Sequence, residues 1–430
     1  MEILYPRVCG IDVHKSFIVA VICISESIKP RYVKKRLSTF HNALVNFRNW
    51  LLDNDCQYVC MESTGKYYVP VYNVLEGYIS NIVVANPKWV RAVKGEKDDD
   101  KDAKWIADLF KLGIVKGSFI PNKDIRILRE LTRYKFKLTN IKSSEKNRFQ
   151  NALTVGNCKL DMVFSDVFGK SSSNIVNLIL SSNTYTDEDI LSKVDRRCKA
   201  TNEEILDAVS GTDLTDVQKS RIEIVQKHMN QLKDNIKEID DLIEIMIKPY
   251  KETIDFLCNI PGVSRNSAII ILSEIGNDMN QFTTSRRLTA WAGLTPTDNQ
   301  SARKKKSVHI SRAGIYLKPC LVEVAHAAVK DKTSPYYANK FNRISKRRGK
   351  KRAYIAIVRK ILVAIYHMLQ TGEIWNPTDL ATIETSPEQR KKYIKNNLKS
   401  SVKQLLAIDL TVEELTELIQ QNANLETSSE

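Results

Sequence analysis

Four aspartates fall within five residues of this chain: Asp98, Asp99, Asp100 and Asp102 of the stretch KDDDKDAKW, Lys97–Trp105. They stand where an amphipathic helix is expected to begin, with Ile106, Leu109 and Phe110 carrying its apolar face onward. Asp99 and Asp102, three residues apart, would share one face of that helix. Acids at a helix N-terminus cap backbone N–H groups and oppose the macrodipole, so an acidic turn in water is the ordinary account. Asp12 and Glu62 add to it, because each falls where a short apolar run ends, at a strand terminus that can meet the pair. Four converging carboxylates repel one another unless they hold a cation. The oxygen-only donor set points to magnesium, or manganese in its place, and two such ions can stabilise both the attacking and the leaving oxygen of a phosphodiester displacement.

The rest of the composition suits that chemistry. A chain of 430 residues, 43% hydrophobic, can bury more than one core. The net charge of +16 calls for a polyanionic partner, nucleic acid or an anionic membrane surface. The apolar runs, such as Phe17–Ile24 and Ile361–Ile365, are shorter than the roughly 20 residues of a membrane span, and no basic leader opens the chain, so a cytoplasmic protein is expected. The eight cysteines form no CxxC pair and several sit in apolar runs, which favours reduced core thiols over a zinc site.

The elements that must position the acids read as an α/β domain. Strands are expected at Val8–Ile11, Phe17–Ile24, Arg31–Phe40, Tyr58–Met61 and Asn81–Ala85, with helices over Ala43–Leu51 and Lys66–Tyr78 and the acidic helix last. This is the element order of the RNase H-like fold, in which the first and fourth strands are parallel neighbours. Asp12 and Glu62 would then lie side by side at the carboxyl ends of their strands.

The remainder reads as mostly α. A helix from Ile125 to about Val155 carries an apolar stripe flanked by Arg126, Arg129 and Arg133, and Gly156–Asp216 is expected to be loops with short helices. Ile222, Val225, Met229, Leu232, Ile236, Ile239, Ile243 and Met246 then recur three and four apart, as a coiled coil or a long bundle helix would require. Phe256–Gly276 resembles a helix-hairpin-helix, whose turn can hold a DNA phosphate or simply join two helices. A loop after Gly293 contains Ser301 and the basic run Arg303, Lys304, Lys305, Lys306. A second basic cluster follows at Lys346, Arg347, Arg348, Lys350, Lys351 and Arg352. Both clusters are candidate nucleic-acid contacts, with a solvated surface as the alternative. By composition Ser301 is an ordinary loop serine. A helix at Val412–Gln420 and a polar, acidic tail, expected to be disordered, end the chain.

Taken together, GIDVHKS (Gly10–Ser16), MESTGKYY (Met61–Tyr68), NPKWVRAVKGEKDDDKDA (Asn86–Ala103), the NIPGV turn, and AGLTP followed by NQS resemble the DEDD transposases of the insertion-sequence one-ten family. The resemblance implies a RuvC-like DEDD domain, 1–120; a helical, coiled-coil linker, 121–250, with an insertion at 156–216; a serine-bearing domain, 251–372; and a C-terminal extension, 373–430. It implies catalytic, metal-holding acids at Asp12, Glu62, Asp99 and Asp102, the usual spacing of three selecting Asp99 over Asp98, and a nucleophile at Ser301. Ser307 and Ser311 are weaker alternatives, raised because Ala302 stands where the family commonly has glycine. Implied partners are donor and target DNA, a structured bridge RNA as guide, and further copies of the chain in a homodimer or homotetramer, at the nucleoid of a bacterial cytoplasm. Other readings are a RuvC-like nuclease with Ser301 idle, an actin-like kinase whose second phosphate loop is not found here, and a non-catalytic nucleic-acid scaffold.

Overall fold

A computed structural model describes residues 2–26, 29–63, 65–87, 98–182, 184–296, 299–301, 304–307 and 309–377, with the backbone alone for 299–301 and 304–307. Arg303, most of the NPKWVRAVKGEK stretch, the Val412–Gln420 helix and the acidic tail lie outside the described residues. The chain divides into two compact units, Met1–Arg126 and Ile127–Glu430.

The first unit runs β1 (Arg7–Val13), β2 (Phe17–Ile24), β3 (Arg31–Ser38), α1 (His41–Asp53), β4 (Tyr58–Glu62), α2 (Tyr68–Leu75), β5 (Asn81–Ala85) and α3 (Asp99–Lys111). The five strands form one mixed sheet in the order β3-β2-β1-β4-β5. β1 pairs antiparallel with β2 and parallel with β4, and β4 pairs parallel with β5. Strand alternation divides the core between the two faces. Cys9, Ile11, Val13, Ile18, Ala20 and Ile22 pack with Leu44, Phe47 and Leu51 of α1 and Val71 and Leu75 of α2. Val8, Cys23 and Cys60 instead pack with Ile106, Ala107 and Phe110 of α3. The buried stripe of α3 is Ala103, Ile106, Ala107 and Phe110, and the expected Leu109 is half-buried beside it. α2 is shorter than the Lys66–Tyr78 expected and stops ahead of Gly77, where φ is +83° and a helix cannot continue.

The second unit is mostly helical. α4 (Lys123–Val155) and α9 (Asp216–Met246) are its long helices, with α5 (Leu160–Val163), α6 (Lys170–Ser181), α7 (Asp187–Ser192) and α8 (Asn202–Val209) between them. α4 and α9 pair antiparallel, because Lys135 bonds Asp240 at 2.5 Å while Glu145, further along α4, meets His228, further back on α9, at 3.2 Å. All eight periodic apolar positions of α9 are buried or half-buried. The segment expected to be loops with short helices has its own core, in which Ile175, Val176, Ile179, Ile190 and Ile205 pack with Phe149, Leu153 and Ile222. Its Ser, Thr and Asn content serves helix starts as well as loops: α7, α8 and α9 open on the capping boxes Thr186–Asp189, Thr201–Glu204 and Thr215–Gln218.

Then follow α10 (Lys251–Leu257), α11 (Arg265–Ile275), α12 (Ser285–Trp291), β6 (Asn299–Ser301), β7 (Lys304–Ser307), α13 (Leu317–Lys330), α14 (Tyr336–Arg348) and α15 (Lys350–Thr371). The α10–α11 turn packs tightly on α13: a Cβ on Gly262, at φ +86°, would stand 2.6 Å from the Val324 carbonyl and 2.5 Å from the Ala328 nitrogen. Two arginines of the expected basic flank of α4 are structural. Arg129 donates to the Ser273 and Glu274 carbonyls at 2.9 and 2.8 Å, and Arg133 forks onto the buried Glu274 carboxylate at 2.7 and 2.8 Å. α15 is the one described helix long and apolar enough to cross a membrane by length and composition, which the short apolar runs had not suggested. Eight of its residues, among them Ile357, Val358, Ile361, Leu362 and Ile365, are instead buried in the unit.

Candidate functional site

The strand periods send the acids to one side of the sheet. On β1, Asp12 alternates with Val8 and Gly10, and on β4, Glu62 alternates with Cys60, so both belong to the face that α3 covers. Ile11 pairs with Met61, and one step further that register sets Asp12 beside Glu62. Gly10 permits the close approach of the acidic helix. A Cβ there would lie 2.2 Å from the Ala103 carbonyl and 2.4 Å from the Ala107 nitrogen, so the α3 backbone rests directly on β1.

The acidic turn is then divided among four duties. Asp98 is the N-cap of α3, accepting from the Asp100 N–H at 3.1 Å. Asp100 forms an ion pair with Lys34 of β3. Asp99 turns to the end of β1, where His14 Nε2 lies 3.4 Å from its carboxylate and 3.0 Å from Asp12. Asp102, one turn on, acts electrostatically on Asp12. The ordinary account of the stretch therefore applies to Asp98 and Asp100, and the pair with the spacing of three is left for Asp12.

Asp12, His14 and Asp99 each offer a ligand atom, and these atoms all lie within 4.8 Å of one another. The Asp12 side chain is 13% exposed, and its carboxyl is raised above the usual range chiefly by burial. His14 opposes that shift, while Asp99 and Asp102 add to it by like-charge repulsion. A half-buried carboxylate crowded by two others, open to solvent on one side, suits a divalent cation. Glu62 is half-buried at the adjacent strand end. His14 was absent from the expected acid set. Its position was legible in the strand period, because residues 12 and 14 share a face, and its ring is stacked on Phe17 at 4.4 Å.

In the second unit the expected loop contains a β-hairpin. Ser301 ends β6, paired with Lys304 of β7, and Gln300 pairs with Lys305. Lys306 and the alternative Ser307 also lie on β7. The base of the hairpin is held by a bridge between Pro296 and Ile310 and by two glycines that let adjoining segments touch. A Cβ on Gly314 would stand 2.3 Å from the Ala292 carbonyl, and one on Gly293 2.6 Å from the Ala313 carbonyl. Ser311, the other alternative, serves this junction: its hydroxyl accepts from the Ala313 N–H at 3.3 Å, and its carbonyl accepts from Lys318 at 2.7 Å.

The second basic cluster is split by Gly349, at φ +80°. Lys346, Arg347 and Arg348 end α14, where cations complement the helix dipole. Lys350, Lys351 and Arg352 open α15, where they oppose it, so helix stability does not account for them. All six are exposed.

Comparison with known proteins places these motifs. Residues 9–156 match the DEDD family described as "Transposase", and residues 254–341 match the one described as "Transposase IS116/IS110/IS902 family". The transposase for insertion sequence element IS1111A of Coxiella burnetii is 32% identical over 121 residues, which are 27% of this chain and 33% of that protein. The chain thus spans about a third of the length of the curated relative it matches. With the acid face lying in the first matched stretch and the serine hairpin in the second, in that order along one polypeptide, the chain belongs to the IS110 family of insertion-sequence transposases.

Proposed function

We propose that the protein is a transposase that cleaves and rejoins DNA strands, using the Asp12, Glu62, Asp99 and Asp102 carboxylates together with Ser301. The observation that carries this reading is the convergence of Asp12 and Asp99 on one point of a sheet face, with Asp102 close enough to perturb Asp12. The acids alone would repel DNA. A divalent cation bound there, magnesium or manganese, supplies Lewis-acid stabilisation of the charge that builds on phosphate oxygens.

The protein's own groups have separable tasks. Asp12 and Asp99 orient the site, with Glu62 and Asp102 completing the donor set. The His14 Nε2 lies between the Asp12 and Asp99 carboxylates, at 3.0 and 3.4 Å, where an imidazole can exchange a proton with a strand oxygen. The Ser301 hydroxyl would lose its proton as its oxygen bonds to phosphorus, and a strand oxygen would leave as a hydroxyl. Attack by the hydroxyl of another strand on that phosphoserine reverses the step and regenerates the serine, so the bond energy is conserved without ATP. The clusters at Arg303–Lys306 and Lys346–Arg352 would neutralise phosphates.

The finer expectations belong to the same proposal: donor and target DNA as substrates, a bridge RNA as guide, self-association into a dimer or tetramer through the long helices, and work at the nucleoid in a bacterial cytoplasm. In the four-part division at residues 120, 250 and 372 the acids and the serine fall in separate domains, and the reaction would draw on both. The α10–α11 hairpin is a further phosphate contact in this scheme, through the exposed Ser264–Asn266 start of α11.

The test is to incubate the purified chain, magnesium, donor and target DNA and the RNA transcribed from the flanking element, then look for a protease-sensitive DNA adduct. An adduct that Ser301→Ala abolishes is expected. Metal-dependent nicking without an adduct, unchanged in that variant, would make the chain a hydrolytic nuclease instead.

A further inference from the structure

Beside α15 the second unit carries a groove of 1560 Å³. Its floor is the face of α15 turned away from the core, with Ile355, Ala356, Val363 and Ala364 at helical spacing, joined by Ile344 and Ile310. Along it stand Arg348, Lys351, Arg352 and Arg359, all exposed, and Glu373 is the one acid among the described lining residues. Ile374, 65% exposed, and Pro377, where the described chain ends, form one end of the lining. An apolar floor of this size with a cationic rim is a helix-in-groove surface that lacks its helix among the described residues.

The chain supplies a segment of matching chemistry. In residues 408–421, IDLTVEELTELIQQ, the four residues Thr411–Glu414 have the form of a capping box. Leu410 and Leu415 stand at the staple positions around it. In the helix this predicts, Val412, Leu415, Leu418 and Ile419 share one face while Glu413, Glu414 and Glu417 share another. No lysine or arginine follows Lys403, so the segment is purely acidic where the groove is basic. Residues 378–407 can reach roughly 100 Å when extended. That is about three times the ~33 Å length of the 22-residue α15, so the tether is long enough.

We propose that residues 408–421 dock as an amphipathic helix in the groove beside α15, their leucines on its apolar floor and their glutamates against Arg352 and Arg359. The tether ends at the groove itself and keeps the effective concentration high, so modest intrinsic affinity is enough. Docked, the segment covers cations assigned above to nucleic acid and would compete with it. That consequence rests on the transposase reading, whereas the docking does not.

The test needs no nucleic acid. In the full chain carrying Val363→Cys, maleimide labelling of the introduced thiol is followed by peptide mass spectrometry, which separates it from the native thiols. Adding Leu415→Asp, Leu418→Asp and Ile419→Asp is expected to speed that labelling by about tenfold or more, and Glu413→Gln with Glu414→Gln and Glu417→Gln by a smaller factor. Unchanged circular dichroism and thermal midpoint establish that the fold is intact. Labelling indifferent to both sets overturns the proposal. Protection that disappears on dilution assigns the groove to a second copy and overturns it too. So does labelling that ignores the tail but is slowed by a single-stranded oligonucleotide, which would give the groove to nucleic acid.

Discussion

In the proposed site Asp12 is the acid the others crowd, and its surroundings explain why single substitutions there should be informative. Burial and two neighbouring aspartates disfavour its charge, while His14 offsets part of that cost. Replacing Asp12 or Asp99 by asparagine removes a charge the cation needs and is expected to weaken manganese binding by about 10–100-fold or more, read by titration calorimetry, with the thermal midpoint unchanged or raised because repulsion is relieved. His14→Ala leaves the carboxylates in place and is expected to lower strand cleavage by about 10–100-fold, with metal affinity changed less. A His14→Ala protein with wild-type cleavage would reduce the imidazole to a packing group on Phe17.

Among the elements, α3 and α4 show how local sequence is constrained by what it packs against. α3 can deliver Asp99 and Asp102 because Gly10 has no side chain. Gly10→Ala should therefore force α3 off β1, at about 1–3 kcal/mol, and weaken metal binding although no acid has changed; calorimetry of the variant with and without manganese separates the two effects. α4 is anchored through arginines in its early turns. Arg133 satisfies a glutamate, Glu274, whose side chain is only 4% exposed and which would otherwise be a buried, uncompensated charge. Arg126 forks onto Glu76 at 2.9 and 2.7 Å, and that hydrogen bonding holds the Glu76 carboxyl below its ordinary value. The stability this pair contributes is therefore present above the ordinary carboxylate pKa and is lost as pH falls through the lowered one. Arg126→Met should flatten the acid limb of the stability curve, a difference visible in chemical denaturation between neutral pH and strongly acidic solution.

For the chain as a whole, a net charge of +16 makes nucleic-acid affinity a salt-dependent quantity. Neutralising Lys346–Arg352 should reduce the slope of log affinity against log salt by about 0.9 for each duplex phosphate that the protein no longer neutralises, and an unchanged slope would remove that cluster from the interface. The strands and helices of the first unit were open to inspection in the amino-acid order, because buried strands are short apolar runs, whereas the parallel pairing of β1 with β4 was expected from the resemblance of that order to the RNase H-like fold. Short helices were expected within residues 156–216, but their shared core was not, because threonines that cap helices are the same residues that fill loops and the apolar positions there are few per helix. His14 lies just past Asp12 and could contact a phosphate, but a loop histidine is more often structural, and only the fold shows its Nε2 between the Asp12 and Asp99 carboxylates. Residue type and spacing thus suggest that Asp12, Glu62, Asp99 and Asp102 fall at strand and helix ends, since the strand and helix periods are local properties, while the strand order that could bring them to one sheet edge was expected only from the RNase H-like resemblance. Which aspartate caps, which pairs with Lys34 and which faces Asp12 depends on the rotation of α3 over Gly10, and that angle is set by backbone packing between elements some ninety residues apart, where local spacing carries no information.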